Sequence, residues 1–149
     1  MMKSMKWACA PLVGLLLVGC AVTMVSPYDD ETRQATLELA KQVDGFYVAM
    51  LEHQGNRDYN SFAGQYVEIE TELRGLLRRN QVRSMNSESV TISENLLELW
   101  VKYKDRHKKD NHYKDGNAKL EWKRLARMFG YALEAEEAKK GPAGSGGEG

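Results

Sequence analysis

Cysteine is nearly missing from this chain: two occur in 149 residues, Cys9 and Cys20, both near its start. Downstream of residue 20 there is no thiol for a disulfide framework or a cysteine metal site. Proline is almost as scarce, with three residues, and long stretches lack glycine, so little interrupts helix formation. No strand-like alternation runs long enough to compete with helix. Charge of one sign is missing as well, because 21 Lys and Arg balance 21 Asp and Glu. That balance leaves no excess positive charge to neutralise phosphates and excludes a general nucleic-acid binder. What remains is a chain of single-domain length with one long apolar run at its start and a charged, helix-forming body behind it.

The apolar run extends from Trp7 to Val25, 19 residues without a charge. A membrane span needs about 20, so length alone permits a span. The finer pattern points elsewhere. Lys3 and Lys6 precede the run, and Pro11 and Gly14 interrupt it, which gives it the basic and apolar regions of a secretory signal. The strongest hydrophobicity stops at Val18, and the small residues Gly19, Cys20 and Ala21 follow. Leu17-Val18-Gly19-Cys20 resembles the lipobox of bacterial lipoproteins. The resemblance implies that residues 1–19 are cut away as a signal peptide and that the Cys20 thiol takes a diacylglyceryl group, the freed amine often being acylated too. A thiol suits that chemistry because its thiolate is the best nucleophile among ordinary side chains near neutral pH. In the competing reading Cys20 is a small buried hydrophobe in an uncleaved anchor. Two or three acyl chains suffice for stable attachment. Among enterobacterial lipoproteins Asp after the cysteine favours retention in the inner membrane; Ala21 stands there, which resembles an outer-membrane passenger facing the periplasm.

Residues 20–28, with Pro27, read as the lipidated cysteine and a tether, and residues 29–140 as an all-α domain. Asp29, Asp30 and Glu31 put negative charge at a helix start, where free N–H groups favour it. Leu37, Ala40, Val43, Tyr47 and Met50 follow at steps of three and four, predicting one face of a first helix that ends near His53. A second helix is expected from about Asp58 to Arg79, with Tyr59, Phe62, Tyr66, Ile69, Leu73 and Leu76 as its apolar seam. Residues 80–90 read as a polar loop, and Thr91-Ile92-Ser93-Glu94 as a capping box that opens a third helix. Leu96, Leu99, Trp100 and Tyr103 form that helix's apolar face. Asp115-Gly116-Asn117 signals a turn, with Asn117 capping a fourth helix whose Ala118, Trp122, Leu125, Phe129 and Ala132 recur at helical spacing. Four such segments, each ~33 Å long at 1.5 Å per residue, predict an up-down-up-down four-helix bundle. The Gly-rich tail, residues 141–149, has too little apolar surface to fold.

Charge is unevenly distributed along the body. From Asp29 to Glu72 ten acids face three bases, and from Lys102 to Arg127 ten bases face four acids. Two explanations fit. The halves attract one another within the bundle, or Lys102, Lys104, Arg106, Lys108, Lys109 and Lys114 meet an anionic partner such as lipid head groups. A second feature lies on the predicted second helix, where Gly64 and Gly75 are eleven residues apart, close to three full turns, and share a face away from the apolar seam. Each interior Gly costs ~1 kcal/mol relative to Ala. That face, with Glu68 and Thr71 between the glycines, is a candidate docking site for a partner or a second copy; neutral drift on a tolerant surface is the alternative.

Catalytic and metal motifs are missing too. His107 and His112 are five residues apart, so they do not form an i, i+4 zinc pair, and no phosphate loop, nucleophile elbow or H-E-x-x-H occurs. The sequence therefore predicts no enzyme, no cofactor and no metal site. Beyond the lipobox, "SPYDDET" and "VDGFYVAMLE" resemble the small helical lipoproteins of unknown function found in proteobacteria, a resemblance that brings no site residues. The function expected is a lipid-anchored interaction or structural module of the Gram-negative envelope with a protein partner. A small-ligand carrier with a pocket between helices is the second possibility, and an envelope hydrolase the third.

Overall fold

The computed structural model describes residues 25–55 and 57–141. The signal peptide expected over residues 1–19, the lipidation expected at Cys20, the first part of the expected tether, residues 21–24, and tail residues 142–149 lie outside the described residues. Within them stand α1 (Asp30–Glu52), α2 (Ala63–Gln81), α3 (Ser87–Asp110) and α4 (Asp115–Ala138), with a single 3-10 turn, Tyr59–Ser61, leading into α2. α1 and α3 each pack against both α2 and α4, so the four helices follow one another around a square.

Cross-helix ion pairs fix the alternation of direction. Arg79 at the end of α2 reaches Glu31 at the start of α1 at 3.0 Å. Arg33 at the start of α1 meets Glu137 at the end of α4, and Lys104, late in α3, meets Glu70 in the first half of α2. The architecture is the up-down-up-down four-helix bundle that the spacing predicts. One end, called the tether end after the tether expected over residues 20–28, gathers the starts of α1 and α3 with the ends of α2 and α4. The distal end carries the other four termini.

The core follows the predicted seams, widened where a helix meets two neighbours. Phe62, Tyr66, Ile69, Leu73 and Leu76 are all buried, and Tyr59 is half-buried at the edge. On α1, Val43, Tyr47 and Met50 are buried as expected, but Leu39 and Phe46 join them while Ala40 is only partly covered. Contact with both α2 and α4 demands a broader stripe than one seam. Phe46 is the hub, with ring centroids 4.7 Å from Tyr66 and 5.1 Å from Trp100.

Three boundaries differ from expectation. α2 begins at Ala63, five residues after the expected start, because Asp58 caps the 3-10 turn Tyr59–Ser61 instead, accepting from the Ser61 N–H. α3 begins at Ser87, four residues before the anticipated cap, and the polar loop shrinks to residues 82–86. The hydroxyls that suggested a cap bond back into the helix instead, Thr91 Oγ1 to the Ser87 carbonyl and Ser93 Oγ to the Ser89 carbonyl, as Ser and Thr do in helix interiors. α4 begins at Asp115, so Asp115-Gly116-Asn117 forms its first turn rather than a turn before it. The chain reverses instead at Asn111, whose left-handed φ of 47° ends α3, a conformation that Asn tolerates better than most residues.

The body also starts earlier than Asp29. Ser26 is buried; its N–H donates to the Met85 carbonyl at 3.0 Å and its hydroxyl to Asn86 Oδ1 at 2.9 Å. Ser26 and Pro27 therefore belong to the fold and not to a free tether.

Candidate functional site

At the tether end a network of buried polar groups joins four chain segments. Glu136, on the last turns of α4, accepts from Arg83 at 3.0 and 3.1 Å, from the Asp29 backbone N–H at 2.7 Å and from Lys139 at 2.6 Å. Lys139 also donates to Asn86 Oδ1 and Ser89 Oγ. Asn86 Nδ2 in turn donates to the carbonyl and the side-chain oxygen of Asn80, and Asn80 Nδ2 to Ser93 Oγ. Burial opposes ionisation of Glu136, yet Arg83, Lys139 and the Asp29 N–H outweigh it and hold the carboxyl below its usual range. Arg83 closes the set on the Pro27 carbonyl.

The distal end is built around His107, which is buried. Its Nε2 lies 2.9 Å from the Arg57 carbonyl and its Nδ1 3.1 Å from the Tyr66 hydroxyl. A carbonyl only accepts, so Nε2 carries the proton, and the Tyr66 O–H donates to Nδ1. Desolvation pushes the imidazole pKa down despite the Arg57 carbonyl. Tyr113 packs edge-on at 4.7 Å between centroids, and Tyr59 and Tyr66 at 5.8 and 5.7 Å. Arg57 itself donates to the Leu51 carbonyl and pairs with Asp115, which stitches the α1–α2 connection to the α3–α4 connection. Both imidazole nitrogens are thus occupied in holding this end together. Among the described residues no group of three His, Cys, Asp or Glu could hold a metal ion.

The basic residues expected to act together do not share a face. At 100° per residue Lys102, Lys104, Arg106, Lys108 and Lys109 spread over about 200° of α3, and Lys114 stands in the connection beyond it. Two are consumed inside the bundle: Lys104 pairs with Glu70, and Arg106 with the buried Glu121 of α4. Burial raises the Glu70 carboxyl, but Lys104 and Arg74 more than offset this and lower it. Lys108 lies over the Tyr59 ring. Lys102, Lys109 and Lys114 remain exposed. The acidic and basic halves therefore attract one another, in part, within the bundle.

Gly64, Glu68 and Thr71 are exposed on α2 and Gly75 is half-exposed. A Cβ added at either glycine meets nothing within 4 Å, so intramolecular packing does not require them. Shallow grooves flank this face along the α1–α2 seam, one of about 250 Å³ lined by Gly45, Phe46 and Glu68, another of about 260 Å³ lined by Leu39, Glu72 and Gly75. A wider groove of about 510 Å³ runs between α3 and α4 over Ile92, Met128 and Tyr131. Sequence reasoning missed the buried polar residues Glu121 and Glu136; their only signal is that each falls on the apolar side of the fourth helix's period.

No family model matches this chain, and neither a curated protein nor a solved structure does. Among the described residues no helix is long and apolar enough to cross a membrane.

Proposed function

We propose that this protein is a non-catalytic helical module of the Gram-negative envelope, held by lipid on Cys20 at the outer membrane, facing the periplasm, and serving a protein partner. The observation that carries the reading is the fixing of Ser26 and Pro27 into the tether-end network. With only a few residues between a lipidated cysteine and a rigid attachment point, the anchor orients the bundle as well as retaining it. An interaction module gains from that, because a fixed orientation raises the effective concentration of its exposed faces toward a neighbour in the same compartment. The partner's landing site in this reading is the face with Gly64, Glu68, Thr71 and Gly75, where bare backbone permits close approach.

Mass spectrometry of the mature amino terminus tests the anchor. A diacyl or triacyl Cys20 is expected, and Cys20→Ala should leave an uncleaved, unlipidated precursor; an intact Met1 terminus in the membrane fraction overturns the reading. Crosslinking in intact membranes tests the module. A reproducible adduct with one envelope protein, or with a second copy, is expected, and an adduct yield unchanged by Gly64→Ala with Gly75→Ala removes the α2 face from the proposal.

A further inference from the structure

Three of the large apolar side chains that the bundle leaves in water lie together at its tether end: Val25 at 49% exposure, Val82 at 84% and Met85 at 56%. The hydrogen bond from the Ser26 N–H to the Met85 carbonyl brings Val25 beside Met85, and Val82 lies in the same five-residue connection between α2 and α3. Val48, Val67, Leu120 and Tyr131, by contrast, are exposed on the helices. Met85 holds a left-handed φ of 54°, a costly conformation for a bulky residue. In water its side chain gains no burial in return.

We infer that this end of the bundle rests on the bilayer, with Val25, Val82 and Met85 in the interfacial layer of the same leaflet that holds the Cys20 lipid. The inference rests on the lipid anchor proposed above. Five residue steps separate Cys20 from Val25, and a fully extended chain covers at most about 3.6 Å per residue, so Val25 stays within ~18 Å of the lipidated sulfur's backbone. On so short a leash the tether end is the part of the bundle that stays nearest the leaflet in every orientation. Most of the acids at this end are matched by bases: Asp29 and Glu31 share Arg79, Glu136 faces Arg83 and Lys139, and Glu137 faces Arg33 and Lys140, while the exposed Asp30 and Glu88 stand against the exposed Arg78 at the end of α2. Small apolar side chains at a tethered surface add interfacial affinity to an existing anchor rather than supplying an anchor of their own. With the tether end seated, the α3 terminus that carries Lys108 and Lys109 stands ~36 Å away along the 24-residue helix, beyond reach of that leaflet's head groups.

The test uses the full chain produced in a Gram-negative host, purified from membranes and reconstituted in phosphatidylethanolamine–phosphatidylglycerol vesicles. Single variants Val82→Cys, Met85→Cys and Lys109→Cys carry a bimane fluorophore, and nitroxide-bearing lipid is the quencher. Quenching at positions 82 and 85 should exceed that at 109 by about threefold or more, given interfacial depth at one end only. The mass of the amino terminus is measured on the same samples. Equal quenching at all three positions with Cys20 lipidated overturns the seating and leaves the anchor standing; an unmodified Cys20 overturns both. Fluorophores at 82 and 85 that are shielded from water yet unquenched by lipid mean that protein covers this end, and overturn the seating as well.

Discussion

The two ends of this bundle are closed by different chemistry. At the tether end a charged network does the work: Glu136, Lys139 and Arg83 sit in low-dielectric surroundings and satisfy one another, with Asn80, Asn86, Ser89 and Ser93 completing the set. At the distal end a neutral imidazole sits in an aromatic cage and bridges the Arg57 carbonyl to the Tyr66 hydroxyl. The difference teaches how each end should fail. A charged network is costly to break because the surviving charges stay buried, whereas a neutral cage loses one hydrogen bond at a time and answers to protons.

The largest effect should come from Glu136→Ala, which leaves the Lys139 and Arg83 charges without their shared carboxylate. A loss of about 3 to 5 kcal/mol in urea unfolding is expected; a loss below ~1 kcal/mol would mean that solvent reaches the network and the contrast between the ends is false. Next comes Tyr66→Phe, which strips Nδ1 of His107 of its donor and should cost about 1 to 3 kcal/mol. Tyr47→Phe makes the same chemical change where the buried hydroxyl has no hydrogen-bond partner, so it should be neutral or stabilising within ~0.5 kcal/mol. Equal losses in the two variants would show that ring packing, not the imidazole, sets the Tyr66 contribution.

Acid should loosen the distal end first. The His107 pKa is lowered from 6.5 in the fold by desolvation, so at pH below that value the unfolded chain takes up a proton that the folded one resists, and stability falls. Glu136 has the opposite charge type and the same outcome. Its pKa is held below 4.5, so its contribution persists until pH falls past that value and is then lost. Hydrogen-exchange protection at the distal termini, normalised for the intrinsic slowing of exchange in acid, should fall as pH drops below about 6.5, before the tether end responds. His107→Leu should flatten that first phase; a decline that survives the substitution assigns it to another group. A further effect is a gain: Gly75→Ala, in the interior of α2, should add up to ~1 kcal/mol, read as a rise in Tm, and Gly64→Ala, in the first turn of α2, should add less, since a Cβ at either position meets nothing within 4 Å.

Much of the bundle was legible because helical period is a local property. The run Phe62, Tyr66, Ile69, Leu73, Leu76 needs only its own spacing to declare an inward face, and all five residues are buried. The start of α3 was not legible, because Thr91-Ile92-Ser93-Glu94 spells a cap as well as it spells a helix interior. Ser93 is decided by a partner 13 positions away, Asn80, whose amide it accepts. The basic segment misled for a similar reason. Lys104 and Arg106 look like free surface charge until Glu70 and Glu121 arrive from other helices.

What the amino-acid order settled alone is the helical class, the number of helices and their main inward seams, since hydrophobic period, caps and breakers act over one or two turns. Only the tertiary structure decided which polar residues are interior. A buried Glu136, Lys139 or His107 is tolerable solely where partners from distant segments satisfy it, and no local pattern records where those partners will be. The same holds for Ser26 and Pro27: in the sequence they trail a tether, and in the fold they are held by Met85, Asn86 and Arg83, because a hydrogen bond between residues some sixty positions apart exists only once the helices between them have packed.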